Sequence, residues 1–399
     1  MNQREIFLRH VGQTSLEPLT LEISRARDFY LYDKDGKEYI DLIGGTSVAN
    51  TGHCHPKVIS AIQAQVEAYM HVMVYGEFVE SPQVQYAKFL ADHLPATLNS
   101  VFFTNSGAEA VEGAMKLAKR VTNRANIFAA INSYHGSTQG ALSILGDEYW
   151  RNAYRPLLPG IRHVAYNDYG WIENIDENTA CVILETVQAE AGVIVPEKAW
   201  LQAVHKRCRE QGALLILDEI QAGFGRTGKL WAFENFDITP DVLLLGKALG
   251  GGMPLGAFVA DYSLMIQLAD NPVLGHITTF GGHPVCCAAG LAAMKVLLEE
   301  NTIACVKEKE ALFLDLLKHP AIKSIKSCGL WFAVQFDSFE TNKKVIDAMI
   351  ARPGKAAISD WFLFASDCLR VCPPLTITRE AIKEACDIIL ESVNIVSAK

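Results

Sequence analysis

Leu214-Leu215-Ile216-Leu217-Asp218-Glu219-Ile220-Gln221 is an almost wholly apolar run of strand length that closes on a carboxylate. A strand buried on both faces reads as continuous Leu, Ile and Val rather than as an alternation. Counted from Ala213, this run has three companions of the same kind, at 126–131, 180–184 and 242–245. Between the runs at 180–184 and 213–217, Trp200, Val204 and Cys208 recur at helical spacing, and Gly212 supplies a residue suited to ending a helix. Such alternation predicts an α/β fold whose large domain carries a mostly parallel central sheet. Ligands of those sheets lie beyond the carboxyl ends of the strands. The residue that follows each run therefore matters most.

Working outward, Phe29-Tyr30-Leu31-Tyr32, the Asp33–Gly36 turn and Glu38-Tyr39-Ile40-Asp41-Leu42 read as a hairpin, and the first forty or so residues read as short strands. Helical patterns begin at Pro56, and Ser81-Pro82 opens one with an apolar stripe of Val84, Ala87, Leu90 and Leu94. Beyond Pro284 a helix runs through Ala288, Leu291, Met294 and Leu297. Strand-like pieces at 330–336 and 368–372 and an amphipathic final helix follow. The expected organisation is an N-terminal segment, 1–50, packing with a small domain, a large domain, 51–285, and a C-terminal small α+β domain, 286–399.

Composition narrows the function classes. A chain of 399 residues can bury a substantial core. Its formal net charge of −9 argues against a broad grip on nucleic acid or anionic lipid. The N-terminus lacks the apolar stretch of a secretory signal, and no apolar run approaches a membrane span. The ten cysteines include no CxxC pair, as expected of reduced thiols in a cytoplasmic protein.

Four features fall at strand ends or helix starts. Lys247 follows the 242–245 run and precedes three glycines, Gly250, Gly251 and Gly252, where a backbone can approach something closely. A buried lysine with a lowered pKa attacks carbonyls, although a lysine emerging to solvent is the plainer reading. Asp218 closes its strand where an unpaired carboxylate is costly. It could meet a pyridinium nitrogen, cap a loop or pair with Arg226. Ser106 and Glu109 have capping-box spacing before a helix through Val111, Ala114 and Ala118. The amides beside Gly107 could also receive a phosphate, though most such boxes bind nothing. Tyr134, after the 126–131 run, could stack on a flat ring or simply pack in its loop. His135 lacks a partner at metal spacing, and His53 and His55 read as structural, so no metal site is expected. Taken together, a phosphate site, a stacking aromatic, a carboxylate and a lysine suit a flat, phosphorylated aldehyde.

On these residues the chain resembles the class III (ω-amino acid) aminotransferases of the fold-type I pyridoxal 5′-phosphate (PLP) group, most of all the acetylornithine and ornithine aminotransferases. The resemblance spans nearly the whole chain. Its most specific markers are Leu217-Asp218-Glu219-Ile220-Gln221-Ala222-Gly223-Phe224-Gly225-Arg226-Thr227-Gly228 and Gly246-Lys247-Ala248-Leu249-Gly250-Gly251-Gly252. It implies a small domain built from both chain ends and a homodimer with active sites at its interface. It implies that Lys247 carries PLP as a Schiff base and moves the proton, while Asp218 pairs with the ring nitrogen. Gln221 would bond the ring oxygen, Tyr134 would stack, and Ser106, Gly107 and Ala108 would hold the phosphate, with Glu185 also among the cofactor-binding residues. Thr279 would reach the phosphate from the neighbouring subunit, with Thr278 near the substrate. Arg370 would bind the α-carboxylate of a 2-oxo acid such as 2-oxoglutarate, and Glu190 would pair with Arg370 when an ω-amino donor is bound.

The expected activity is ping-pong transfer of an amino group from an amino acid or ω-amine donor to a 2-oxo acid. An aminomutase or decarboxylating relative on the same scaffold is the alternative, and a PLP-binding regulator would need a basic module that this chain lacks. Two departures bear on substrate. Where ornithine-type members carry an arginine for the donor's far carboxylate, this chain has Ser137, with Arg151, Arg155 and Arg162 as candidate replacements. The usual Glu-Pro-x-Gln-Gly-Glu is here Glu185-Thr186-Val187-Gln188-Ala189-Glu190.

Overall fold

The N-terminal hairpin forms as the sequence suggests. β1 (Ile23–Arg27), β2 (Tyr30–Asp33) and β3 (Glu38–Asp41) make an antiparallel meander, with Tyr30 opposite Ile40. The structure, a computed structural model, describes residues 1–398. Ahead of the meander stands a helix, Gln3–His10, where short strands were expected. Asn2 and Glu5 close a reciprocal capping box at its start, which satisfies donors that a polar sequence would otherwise leave free.

The central sheet holds seven strands: β4 (Ser100–Thr104), β5 (Asn126–Ala130), β6 (Ile161–Val164), β7 (Thr179–Glu185), β8 (Leu214–Asp218), β9 (Val242–Leu245) and β10 (Gly256–Ala260). Their order is β4-β10-β9-β8-β7-β5-β6. β10 runs antiparallel to both neighbours, and the other four pairings are parallel. Every residue of β7 and β9 is buried, which explains their unbroken apolar runs. Because β4 is antiparallel to β10, it points the same way as β9. The carboxyl ends of β4, β5, β7, β8 and β9 thus open on one edge.

Helices cover the sheet. The helix Gly107–Thr122 starts on the Ser106 cap and buries Ala110, Val111, Ala114, Met115, Leu117 and Ala118. The helix Lys198–Gln211 buries Trp200, Leu201, Val204 and Cys208 and closes at Gly212, whose φ of 64° is the left-handed conformation the sequence suggests. Each fully buried Leu or Val of these faces contributes roughly 1.5–3 kcal/mol.

A third sheet is made from β11 (Ser324–Ser327), β12 (Phe332–Gln335), β14 (Trp361–Phe362) and β15 (Ala365–Val371) in the order β11-β12-β15-β14. β13 (Ala356–Ile358) leaves that sheet and pairs in parallel with β3, so the N-terminal meander is completed by a strand from the C-terminal region. The final helix, Arg379–Ser397, buries Ile382, Ile388, Ile389 and Val393 along one face. Among the described residues, no helix is long and apolar enough to cross a membrane.

Candidate active site

The edge where the strand ends meet encloses a cavity of about 470 Å³. Gly107 and Ala108 line it from the mouth of their helix, Tyr134 and Ser137 from the loop after β5, and Glu185 from the end of β7. Asp218 and Gln221 come from the end of β8, and Lys247 follows β9. Parallel register sets Glu185 opposite Asp218, so two carboxylates face one another at adjacent strand ends.

Lys247 has a φ of 50°, unusual for a residue with a side chain. Its Nζ lies 3.3 Å from Oε1 of Gln221. Burial pulls the amine below the usual lysine range, Arg370 adds to that pull and Glu190 opposes it. The amine is therefore easier to free of its proton, as a nucleophile requires.

Asp218 is held by two donors. Oδ1 accepts from the Ile220 amide at 2.9 Å, and Oδ2 lies 2.7 Å from Nδ1 of His135. Arg226 is elsewhere. Its guanidinium donates to the carbonyls of Leu330 and Pro373 and to Asn50, so the suggested Arg226 partnership is replaced by His135. Sequence offered no sign of this pairing, because 83 residues separate the two. Burial alone would lower the His135 pKa, but the hydrogen bond and the charges of Asp218 and Glu185 outweigh it and raise the imidazole. Glu185 accepts from the amides of Tyr134 at 3.0 Å and Ala189 at 2.8 Å. Burial pushes its pKa up to about 7.

At the helix mouth, Ser106 Oγ accepts from the Glu109 amide at 3.2 Å. The Gly107 and Ala108 amides are first-turn donors with no partner inside the helix. The approach here is close: a Cβ on Gly107 would stand 2.8 Å from Cδ1 of Ile220, and one on Gly136 would stand 2.5 Å from Cβ of Ala108. Tyr134 Oη and Ser137 Oγ are 3.1 Å apart at the cavity rim.

Arg370 and Glu190 form a two-pronged ion pair, Nη1 to Oε1 at 3.1 Å and Nη2 to Oε2 at 2.9 Å. Both are buried, with 3 % and 6 % of their surface exposed. Burial would raise Glu190, but Arg370 outweighs it and holds the carboxylate below its usual range. Sequence did not signal two further features. Asp360 takes the Arg370 Nε at 2.6 Å. Glu219, beside Asp218, accepts from the amides of Ala232 and Phe233 and from Thr186, tying the end of β8 to the following turn.

Thr278 and Thr279 do not reach this cavity within the chain. Thr278 lines a separate one with Tyr75, Gln83 and Phe103, and Thr279 is exposed. The three arginines offered as replacements at Ser137 are engaged away from the cavity lining. Arg151 and Arg155 both bind Glu148, and Arg162 lies over the Phe128 ring. His53 pairs with Asp41, and His55 caps the helix Pro56–Ala68 and meets Glu300.

The family model for class III aminotransferases matches residues 11–393. The acetylornithine aminotransferase of Methanopyrus kandleri is 38% identical over 391 residues, 96% of this chain and 97% of its own length. That of Methanosarcina acetivorans is 39% identical over 389 residues, 96% and 93% of the two chains. The ornithine aminotransferase of Toxoplasma gondii, solved with PLP at partial occupancy in its active site, superposes with a TM-score of 0.91. It shares 32% identity, over 99% of this chain and 94% of that one.

Proposed function

The chain belongs to the class III aminotransferases, a family of PLP-dependent transaminases, and from that premise we propose that it moves an amino group from an acetylornithine- or ornithine-like donor to a 2-oxo acid, 2-oxoglutarate first among them, in two half-reactions of ping-pong type. The cavity residues fit PLP. Gln221 Nε2 and His135 Nε2 are buried polar atoms without a partner. The first of these is a donor of the kind a ring oxygen would accept from, and the free amides at Gly107 and Ala108 suit a phosphate.

Bound PLP supplies an electron sink for the carbon that loses its proton. The chain does the rest. Lys247 holds the cofactor through Nζ and, once free, takes and returns the proton at the substrate carbon. Asp218, steadied by His135, keeps a proton on the ring nitrogen. Tyr134 covers the ring face, Ser106 supports the phosphate-binding turn, and Glu185 fixes the Tyr134 loop through its amide.

The observation that carries the reading is the Glu190–Arg370 pair beside Lys247, whose amine feels both charges. With the pair closed, the cavity presents no free guanidinium and suits an amine on a carbon without a carboxylate. With Glu190 turned away, the Arg370 fork suits the α-carboxylate of a 2-oxo acid. The test is a donor screen with ornithine, acetylornithine, lysine and 4-aminobutyrate against 2-oxoglutarate and pyruvate. Transfer to 2-oxoglutarate with parallel double-reciprocal lines supports the reading. Carbon dioxide release, or an isomerised product formed without any oxo acid, sinks it.

The working unit in this reading is a homodimer. Support comes from the apolar surface where the segments at 70–80 and 273–283 meet, joined by the rings of His71 and Phe280, 4.8 Å apart. Val79 is 92% exposed in the first segment, with Phe78 exposed next to it, and Val273, Ile277 and Phe280 are exposed in the second. Thr278 and Thr279 belong to this surface and would serve the partner's cavity. All ten cysteines are free, which supports a reducing, cytoplasmic setting.

A further inference from the structure

The Arg370 guanidinium is gripped from more sides than a two-state exchange with Glu190 requires. Asp360 Oδ1 takes Nε at 2.6 Å, the Trp361 carbonyl accepts from Nη2 at 3.1 Å, and the Phe362 ring lies 4.3 Å from the guanidinium carbon. The backbone repeats the grip, since the Arg370 amide donates to the Asp360 carbonyl at 2.9 Å. Only the two-pronged Nη edge is given to Glu190. Glu190 has its own anchors on the same β14–β15 turn, the Leu363 amide at 3.0 Å on Oε2 and the Phe364 amide at 3.0 Å on its carbonyl.

We propose that Asp360 is a positioning residue that lets Arg370 release Glu190 and accept the carboxylate of a 2-oxo acid. The inference rests on the substrate role given to Arg370 above. A buried guanidinium stripped of its only counter-charge is costly, so a lone Glu190 would be hard to displace. Asp360 removes that obstacle. It stays on Nε throughout, balances the charge while Glu190 moves, and fixes the plane of the fork so that the Nη edge keeps facing the incoming carboxylate. Asp360 acts through Arg370 and does not touch substrate.

The experiment compares the two half-reactions in the PLP-loaded enzyme. Asp360→Asn keeps an oxygen for Nε but loses the charge. The expected result is a KM for 2-oxoglutarate raised about tenfold, equivalent to about 1.4 kcal/mol. The half-reaction with 4-aminobutyrate, for which the pair stays closed, should lose a smaller factor. Asp360→Glu should recover part of the acceptor KM. Equal losses in both half-reactions, or an acceptor KM that does not move, would overturn the proposal. Arg370→Gln separates this from the reading beneath it. If that variant leaves the acceptor KM unchanged, the role of Arg370 itself fails. If it raises the acceptor KM while Asp360→Asn does not, only the part given to Asp360 fails.

Discussion

His135 Nδ1 stands 2.7 Å from Oδ2 of Asp218, with both groups buried at the carboxyl edge of the central sheet. The carboxylate that closes β8 is thus met by an imidazole from the loop after β5. This contact joins two elements distant in sequence and gives the proposed ring-nitrogen partner a fixed orientation.

His135→Asn should weaken PLP binding and cost about 1.5–3 kcal/mol of stability, the range for a hydrogen bond to a charged group. The folded imidazole has a raised pKa, so its contribution is full below the ordinary histidine value of about 6.5 and fades as pH rises through the raised folded value. The gap in Tm between wild type and variant should therefore narrow toward alkaline pH. A gap that widens with pH would contradict the pairing.

Lys247 yields a second pH test. Only the neutral amine attacks the cofactor aldehyde, and burial lowers the pKa of this amine. In the apoprotein the rate of PLP incorporation should rise with pH and level off below the ordinary lysine value of about 10.4. Stopped-flow absorbance measures it. An inflection at or above that value would show that the amine is not depressed.

How far these features were legible in the sequence depends on the range of the interactions that make them. The buried parallel strands were legible because burial on both faces writes itself as short apolar runs without alternation, and each run is followed within three residues by a cavity residue. β10, Gly-Ala-Phe-Val-Ala, was not, since small residues at an antiparallel position give neither an alternation nor a long apolar run. The helix Gln3–His10 depends on a cap more than on a core face, and none of its residues is buried. In the site, Lys247 and Asp218 stood out because strand ends are local features. The pairing of Arg370 with Glu190 came from the resemblance, whereas His135 as the partner of Asp218 and Asp360 as the second partner of Arg370 were hidden because folding brings them there, and Arg226, much nearer to Asp218 in sequence, turns toward Leu330 and Pro373 instead.

Glu190→Ala should open the Nη edge of Arg370. With Asp360 still in place, the expected cost is about 1.5–3 kcal/mol, below the roughly 3–5 kcal/mol of a pair that loses its only counter-charge. Calorimetry should show 2-oxoglutarate returning part of that loss, because its carboxylate takes the vacated place. Donors bearing an α-carboxylate should gain relative to 4-aminobutyrate, and an unchanged donor ratio would argue against the exchange.

Ser137 sits at the cavity rim, and Arg151 and Arg155, two of its candidate replacements, are held by Glu148. Ser137→Arg should raise kcat/KM for donors whose carboxylate lies far from the reacting amine, such as acetylornithine or lysine, by about tenfold, the worth of about 1.4 kcal/mol. Cadaverine, which has none, serves as the control. Equal gains for both donors would indicate an effect unrelated to charge recognition.

A charge placed on the exposed apolar surface should separate the subunits of the proposed dimer. Val79→Asp is expected to raise the dimer dissociation constant at least tenfold, about 1.4 kcal/mol, and to make activity depend on enzyme concentration. Sedimentation velocity over a dilution series measures it. A dimer of unchanged strength would place the interface elsewhere.

The most direct test is to locate the bond between enzyme and cofactor. Reducing the PLP-loaded enzyme with borohydride, digesting it and sequencing the pyridoxyl-bearing peptide by mass spectrometry should find the modification on Lys247 alone, and lose it in Lys247→Ala. A label on any other lysine, or none at all in enzyme that turns over, would contradict the assignment on which the proposed chemistry stands.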